Sequence, residues 1–220
     1  MGNLTFTAPD SPEPFTVMAF GAHCDDIEIG AGGTLLALAR RYPGMRLIAT
    51  VMTSTPQREE ETRGALPDFA PDGETTITVH QLTDGHLPTA WGDVKEHVEA
   101  ARARHRGRVD LVLCPGRDDA HQDHRLLSKI LPTVFRDHLV LEYEILKWDG
   151  DLGRPNTFVP LDEDVATEKI ALLHKHYTSQ HGKTWFDDET FRSLLRVRGI
   201  ECNARYAEAF TARKIALSLT

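Results

Sequence analysis

Two short segments of the chain combine histidine and aspartate in a way that could bind a divalent metal ion. The first reads Ala22-His-Cys-Asp-Asp-Ile-Glu-Ile-Gly30, and the second reads Pro115-Gly-Arg-Asp-Asp-Ala-His-Gln-Asp-His-Arg125. Imidazole and carboxylate groups form a ligand set found at catalytic zinc sites, where one coordination position stays open for water. If a helix begins near His121, then His121 and His124 lie on one face of it. The residue types therefore predict a metal site that could activate water.

Each segment also has a plainer interpretation when it is taken alone. Two adjacent aspartates, Asp25 and Asp26, are typical of a helix start, where carboxylates accept bonds from free backbone amides and suit the helix dipole. Two histidines three residues apart are often ordinary surface residues. Both segments follow a predicted strand, however, and a buried cluster of charges needs a neutralising ion. Their joint occurrence therefore favours a shared metal.

The rest of the chain predicts the scaffold that would bring these segments together. Short apolar runs alternate with stretches of helical periodicity. The predicted strands cover 15–21, 47–52, 75–82 and 109–114, and the predicted helices cover 56–65, 94–106, 121–135 and 163–176, with another helix around Leu35. Later segments are a strand-like run from Leu139 to Trp148, a loop over 149–155 and a last apolar segment over 206–212. This alternation predicts an α/β fold with a parallel sheet covered on both faces, whose ligand site lies beyond the carboxyl ends of the strands.

The composition argues against several classes of function. The 220 residues include 25 basic and 33 acidic side chains, and this net charge of −8 argues against binding to the phosphate backbone of nucleic acids. No stretch is apolar enough to span a membrane, and the three cysteines form no metal-binding motif. We therefore expect a cytoplasmic protein without a membrane partner. We also expect a flexible tail over residues 1–14 and a single domain over residues 15–220.

The two segments together resemble the signatures of a known family, the LmbE-like or PIG-L deacetylases. The first segment resembles the pattern AHPDDEExG, and His121-Gln-Asp-His124 matches the pattern HxDH, in the order expected for the family. Weaker matches extend the resemblance over nearly the whole chain: Gly32-Gly33-Thr34-Leu35, Arg58, Glu61, Asp84-Gly-His-Leu87, Ser179-Gln180 and Tyr206-Ala-Glu-Ala-Phe210. The chain departs from the family pattern at Cys24, where proline is usual, and at Ile27, where an acid is frequent.

The resemblance implies a fold, a reaction and a role for each site residue. The fold would be a Rossmann-like three-layer sandwich with a mostly parallel sheet. The reaction would be the removal of the N-acetyl group from an amino sugar or its conjugate. The ligands of the metal, Zn²⁺ or another divalent cation such as Fe²⁺, would be His23, Asp26 and His124. Asp25 would be the general base, and His121, oriented by Asp123, would stabilise the oxyanion.

The partner of such a site would be a small-molecule amino sugar, and the resemblance also suggests a homo-oligomer. Arg117 stands just before the second motif and is the best candidate for binding a phosphate or carboxylate of the substrate. Cys24 could be an additional soft ligand, but a small apolar filler beside the site is the better interpretation.

Three other functions stay open at this point. A hydrolase of a different amide would use the same residues. A nucleotide-binding module would use Gly30-Ala-Gly-Gly33, which follows a strand and opens a helix, although its spacing is poor for the dinucleotide fingerprint. A metal-binding protein without catalysis would have no need of Asp25, an unligated carboxylate beside an open metal position.

Overall fold

The computed structural model describes residues 12–216, and within that range it contains one seven-stranded sheet. In chain order the strands are β1 (Thr16–Gly21), β2 (Arg46–Thr53), β3 (Glu74–Leu82), β4 (Leu111–Pro115), β5 (Val140–Tyr143), β6 (Thr157–Leu161) and β7 (Tyr206–Ala212). Their order across the sheet is β3-β2-β1-β4-β5-β7-β6. Strands β1 to β5 pair in parallel, whereas β7 is antiparallel to both β5 and β6. The expected α/β fold with a mostly parallel sheet is confirmed.

Helices cover both faces of this sheet. They are α1 (Asp26–Arg41), α2 (Pro56–Phe69), α3 (Trp91–Arg104), α4 (Gln122–Val134), α5 (Glu163–His176) and α6 (Asp188–Glu201). One hydrophobic cluster joins α1, α2, α5 and α6 to one face, and a second cluster joins α3 and α4 to the other. In β1, Val17 and Ala19 lie in the first cluster while Met18 and Phe20 lie in the second, because successive side chains of a strand point to opposite faces. The result is a three-layer sandwich, in which β1 is the middle one of the five parallel strands.

Most of the elements predicted from the sequence are present. The predicted helix over 163–176 and the predicted segment over 206–212 coincide with α5 and β7. The predictions missed β6 and α6. Strand β6 is five residues long, lies at the edge of the sheet and is mostly half exposed, and its Pro160 argues against a strand in the sequence. A single domain over 15–220 stays a prediction, and most of the tail predicted over 1–14 lies outside the described residues.

The glycines at the start of α1 serve close packing. A Cβ atom at Gly30 would overlap the ring of Tyr143 on β5. The backbone N–H groups of Gly33 and Thr34 donate to the carboxylate of Glu208 on β7, at 2.8 and 2.6 Å. This segment therefore packs against neighbouring strands, and its amides do not form a free cradle for a nucleotide phosphate.

The sheet brings the two His/Asp-rich loops to one edge. Strands β1 and β4 are direct neighbours and run in the same direction. The first loop joins the end of β1 to α1, and the second joins the end of β4 to α4. Both loops therefore open beyond the same carboxyl ends, as expected for this fold. Among the helices of the described range, none has both the length and the apolar character needed to cross a bilayer.

Candidate active site

Side chains from the two loops meet beyond the carboxyl ends of β1 and β4. Nδ1 of His23 lies 3.0 Å from Nε2 of His124, although 101 positions separate the two residues in the chain. Oδ2 of Asp26 lies 3.5 Å from this nitrogen of His23 and 3.3 Å from this nitrogen of His124. All three residues are buried. Three potential ligand atoms thus form a compact group, which we call the donor triangle.

Backbone amides fix the position of Asp26 in this triangle. Asp26 is the first residue of α1, and its Oδ2 accepts hydrogen bonds from the backbone N–H groups of Ala22 and His23, at 2.8 and 2.9 Å. Burial acts to raise the pKa of this carboxyl group, but the charges of His124 and His23 hold the pKa well below its ordinary value. Asp26 is therefore an anion at neutral pH.

The imidazoles of His23 and His124 lie in strongly acidic surroundings. Burial acts to lower the pKa of each ring. The surrounding carboxylates, above all Asp26, outweigh burial and raise the pKa of His23 to about 12 and that of His124 to about 9. The cluster thus favours positive charge at the point where the two rings meet.

Asp25 has an uncommon backbone conformation beside the donor triangle. Its φ angle is 111°, in the left-handed region that residues other than glycine rarely adopt. Asp25 occupies the N-cap position of α1, yet its side chain makes no capping bond, and Oδ1 pairs instead with Nη2 of Arg58 at 2.7 Å. Burial raises the pKa of Asp25 to about 6, against the opposing charge of Arg58. The helix-cap interpretation of Asp25 is therefore wrong, and this carboxyl group can exchange a proton near neutral pH.

His121 lies half-buried at the start of α4. Its ring centroid is 4.6 Å from that of His23 and 4.8 Å from that of His124. Nδ1 accepts a hydrogen bond from the backbone N–H of Asp123 at 3.3 Å, so Nε2 carries the proton of the neutral ring. Burial and the charges of the other two histidines lower the pKa of His121, which favours that neutral form. Orientation of His121 by the carboxylate of Asp123 stays a prediction, since this bond comes from the backbone.

The carboxylate of Asp123 holds the turn that borders the site. It accepts hydrogen bonds from the backbone N–H groups of Gly85 and Leu87, at 2.7 and 3.0 Å. Its Oδ2 also lies 3.4 Å from Nε2 of His23. Asp84, in the same turn, lies 2.9 Å from this nitrogen. The second ring nitrogen of His23 therefore faces a second set of carboxylates.

Besides the donor triangle, two overlapping groups of side chains in the described part of the chain are close enough to hold a metal ion. One consists of His23, His121 and His124, and the other consists of His23, Asp84, His121 and Asp123. His23 belongs to both groups because its two ring nitrogens face different neighbours. The fold thus offers a His/Asp metal site with more than one choice of ligands.

Two residues that the sequence analysis did not single out support His124. Oδ2 of Asp119 lies 2.8 Å from Nδ1 of His124, the ring nitrogen outside the donor triangle. Nζ of Lys147, in the loop after β5, lies 3.0 Å from Oδ1 of Asp119 and 2.8 Å from Asp151. Asp119 could have been found, because it stands in the second His/Asp-rich loop. Lys147 could not, because only the folded chain brings it there.

Cys24 and Arg117 have different surroundings from the ligand candidates. The thiol of Cys24 is buried 3.2 Å from Oγ of Ser54, and burial raises its pKa to about 11. A neutral thiol of this kind fits the role of a small apolar filler. The side chain of Arg117 is 41% exposed, and its Nε lies 3.6 Å from the buried carboxylate of Glu142. Substrate binding by Arg117 stays a prediction.

Histidine and aspartate are a ligand set seen at catalytic metal sites, and here they lie beyond the carboxyl ends of the strands, where ligands bind in this fold. Residues 18–135, more than half of the chain, match the family model described as PIG-L: GlcNAc-PI de-N-acetylase. The chain therefore belongs to the PIG-L family, and it is a deacetylase, that is, an amidohydrolase. The resemblance seen in the two sequence motifs is confirmed.

Individual relatives are more distant. The chain is 28% identical to the uncharacterized deacetylase YaiS of Escherichia coli K12 over 179 residues, which cover 73% of this chain and 89% of that protein. Its structure resembles N,N'-diacetylchitobiose deacetylase from Pyrococcus horikoshii with a TM-score of 0.67 at 19% identity, covering 91% of this chain and 84% of that one. It also resembles GalB, the 4-carboxy-2-hydroxymuconate hydratase of Pseudomonas putida, with a TM-score of 0.70 at 15% identity, covering 94% of this chain and 99% of that one. A hydratase shares this fold, so the structural likeness shows the fold alone. The assignment as a deacetylase depends on the family match.

Proposed function

We propose that this deacetylase uses a zinc ion to remove the N-acetyl group from an amino sugar or its conjugate, which releases acetate and a free amine. His23, Asp26 and His124 would hold the ion, and Asp25 would be the general base. One observation carries this proposal: the donor triangle lies beside the buried carboxylate of Asp25, which is not part of the triangle. Three protein ligands with a free carboxylate nearby are what an open, catalytic zinc site requires.

The spacing of the donor atoms fits this ion. In a tetrahedral site, bonds of roughly 2.0–2.1 Å place the ligand atoms about 3.3–3.4 Å apart. The three separations in the donor triangle are 3.0, 3.3 and 3.5 Å. Two imidazole nitrogens and one carboxylate oxygen would also accept Fe²⁺, so the ligand set favours a first-row divalent metal with zinc as the first choice.

The base chemistry follows from the surroundings of Asp25. When bound, the metal would polarise the acetamide carbonyl and lower the pKa of a water molecule, which supplies the nucleophile for amide hydrolysis. Asp25 would take a proton from the attacking water on a carboxylate oxygen and later donate a proton to the departing amine nitrogen. A pKa of about 6 suits both transfers near neutral pH. Arg58 would keep the carboxylate in place through their 2.7 Å ion pair.

His121 would stabilise the negative charge that develops on the carbonyl oxygen. Its Nδ1 is occupied by the backbone N–H of Asp123, so its Nε2–H is the group that can donate to the substrate. One donor of this kind contributes roughly 3–4 kcal/mol to the stability of a transition state. Asp123 would act indirectly, by fixing the start of α4 and the turn at Gly85.

The names of similar proteins support an amino-sugar substrate. The matching family model is described by its action on GlcNAc-PI. The similar protein from P. horikoshii is described as acting on N,N'-diacetylchitobiose. Both compounds carry an N-acetylated amino sugar. Arg117, in the second loop, would bind a phosphate or carboxylate of a conjugated substrate, and assembly into a homo-oligomer stays a prediction.

The nearest alternative is a hydrolase of another amide, because the same ligands and base would serve any accessible acyl group. Acetate release from the zinc-loaded protein separates the two functions. The substrates to compare are N-acetylglucosamine, its phosphorylated and glycosidic derivatives, N,N'-diacetylchitobiose and N-acetylated amino acids. Protein treated with a chelator and the Asp25→Asn variant are the matched controls.

The proposal predicts acetate from at least one amino sugar, loss of this activity after chelation and its recovery with zinc. Asp25→Asn should release almost none. Release from N-acetylated amino acids alone would overturn the assignment of substrate. Activity that survives complete removal of the metal would overturn the role of the ion.

A further inference from the structure

Trp148 is an exposed aromatic side chain on the loop that borders the active site. At 66% exposure it is the most exposed large hydrophobic side chain in the described range. It directly follows Lys147, whose ammonium group contacts Asp119, and Asp119 in turn lies against His124. An indole left in water forgoes the free energy of burying its apolar surface. Its place beside the site suggests that a ligand covers it.

The ring of Trp148 is held in a defined orientation. Its Nε1 donates a hydrogen bond to Oγ1 of Thr184 at 3.2 Å. Its ring meets the ring of Trp185 nearly at right angles, with centroids 6.0 Å apart. An indole that is both exposed and fixed in this way is a preformed surface for a ligand with a flat apolar face.

Lys183 connects the two tryptophans to the proposed catalytic base. Its Nζ lies 5.8 Å from the ring centre of Trp148 and 5.6 Å from that of Trp185, within the range of cation–π contacts. The positive charge of Lys183 also acts to lower the pKa of Asp25. We call Trp148, Trp185 and Lys183 the aromatic platform.

The polar groups of the platform that need partners are donors. Considering only residues 12–216, the buried Nε1 of Trp185 has no hydrogen-bond partner. The ammonium group of Lys183 has three N–H bonds and donates one to Oε1 of Gln180 at 2.5 Å. The Trp185 nitrogen lies beneath the surface, so a ligand would meet the remaining N–H bonds of Lys183 instead. A ligand for this surface should therefore combine an apolar face with oxygen acceptors at its edge, and a sugar ring has this chemistry.

From this geometry we infer that the aromatic platform binds a second sugar ring of the substrate, adjacent to the ring that carries the acetamide. The inference rests on the proposed deacetylase function. Trp148 would stack on the C–H face of the second ring, while Lys183 would donate to its oxygen atoms. Lys147 and Asp119 lie between Trp148 and His124. Trp148 is therefore too far from the donor triangle to contact the acetamido ring, and it would contact the next ring of the substrate.

Binding measurements test this inference without relying on turnover. Zinc-loaded protein carrying Asp25→Asn is titrated calorimetrically with the methyl glycoside of N-acetylglucosamine and with the β-linked disaccharide of N-acetylglucosamine. The same titrations are made after adding Trp148→Ala, Trp148→Phe or, as a control, Ile200→Ala. Ile200 is an apolar side chain of α6 that is 61% exposed.

The inference predicts that the disaccharide binds about tenfold more tightly than the methyl glycoside, as expected for one stacking contact with its hydrogen bonds. Trp148→Ala should remove this preference, Trp148→Phe should keep most of it, and Ile200→Ala should leave it intact. All variants should bind the methyl glycoside alike. Equal binding of the two ligands by the parent protein, or a preference that survives Trp148→Ala, would overturn the inference. If the wild-type protein released no acetate, that result would count against the proposed function. The titrations would still test the second-ring site, because they do not depend on turnover.

Discussion

Two groups of histidines in this protein touch ring to ring, but they lie in opposite electrostatic surroundings. In the site, His23 and His124 lie among carboxylates, and the pKa of His23 rises to about 12 although burial acts to lower it. At the β3 edge of the sheet, the ring of His80 stacks on that of His97 in α3, with centroids 3.6 Å apart. Burial, His97 and the charge of Arg104 lower the pKa of His80 to about 4.

The difference teaches that close histidines do not by themselves make a metal site. The histidines of the site converge on Asp26, whose oxygen completes a triangle of atoms with metal-like spacing. The stacked pair of His80 and His97 forms no such group with a carboxylate in the described part of the chain. The carboxylates therefore distinguish the proposed metal site from the stacked pair, and substitutions at these carboxylates test that distinction.

The largest effect is expected at Asp25. Replacing its carboxylate by an amide removes the proposed base, so Asp25→Asn should lower kcat by about 10²–10⁴-fold. Zinc content should stay at one equivalent, because Asp25 is not a member of the donor triangle. Steady-state kinetics and metal analysis on the same preparation check both statements.

Asp118→Asn is a suitable control, since this carboxylate is exposed in the second loop. It should keep nearly full activity. An Asp25→Asn variant that turns over at the wild-type rate would show that another group is the base. A variant that loses its zinc would place Asp25 among the ligands.

A smaller effect is expected at Asp119, which lies 2.8 Å from the outer ring nitrogen of His124. A carboxylate in this position orients a metal-binding imidazole and raises its basicity. Asp119→Asn should therefore weaken zinc binding by about 10- to 100-fold, as measured by competition with a chelating dye. Asp149→Asn, which removes an outer partner of Lys147 at 3.7 Å, is the control and should change zinc affinity little. Equal zinc affinity of Asp119→Asn and wild type would exclude this supporting role.

The smallest effect is expected at the stacked pair. The pKa of His80 falls from its ordinary value of 6.5 to about 4 in the folded protein, so the unfolded chain takes up a proton first as the pH drops. The free energy of unfolding should thus fall between pH 6.5 and about 4, and His80→Gln should make that fall shallower. Urea unfolding at several pH values measures this free energy. The control is His86→Gln, because His86 is an exposed histidine. Identical pH dependence in His80→Gln and wild type would contradict this account.

Most of the parallel half of the fold could be predicted from the sequence, because β1, β2 and β4 are buried apolar runs, each followed by a loop and a helix. The antiparallel edge could not be predicted in this way. The buried positions of α6 include Arg198 beside Phe191 and Leu195, and β6 is half exposed with Pro160 inside it. Both elements are defined by what they pack against, namely β7 and its neighbours, and this information is not local in sequence.

The candidate site divides in the same way. The motif residues His23, Asp26 and His124 could be selected because their types and order are distinctive, and the fold brings them together as expected. Lys147 and Lys183 could not be selected, because they come from distant, irregular segments that carry no motif. Whether the selected residues have the assigned roles is still a prediction, which experiment must decide.

The most direct test of the central claim is the position of zinc in crystals soaked with the metal, located by anomalous diffraction at the zinc absorption edge. The account predicts a single peak at about 2.0–2.2 Å from Nδ1 of His23, Oδ2 of Asp26 and Nε2 of His124, with Asp25 outside bonding distance. A peak on Nε2 of His23 with Asp84 as a ligand, or no peak at the donor triangle, would contradict it.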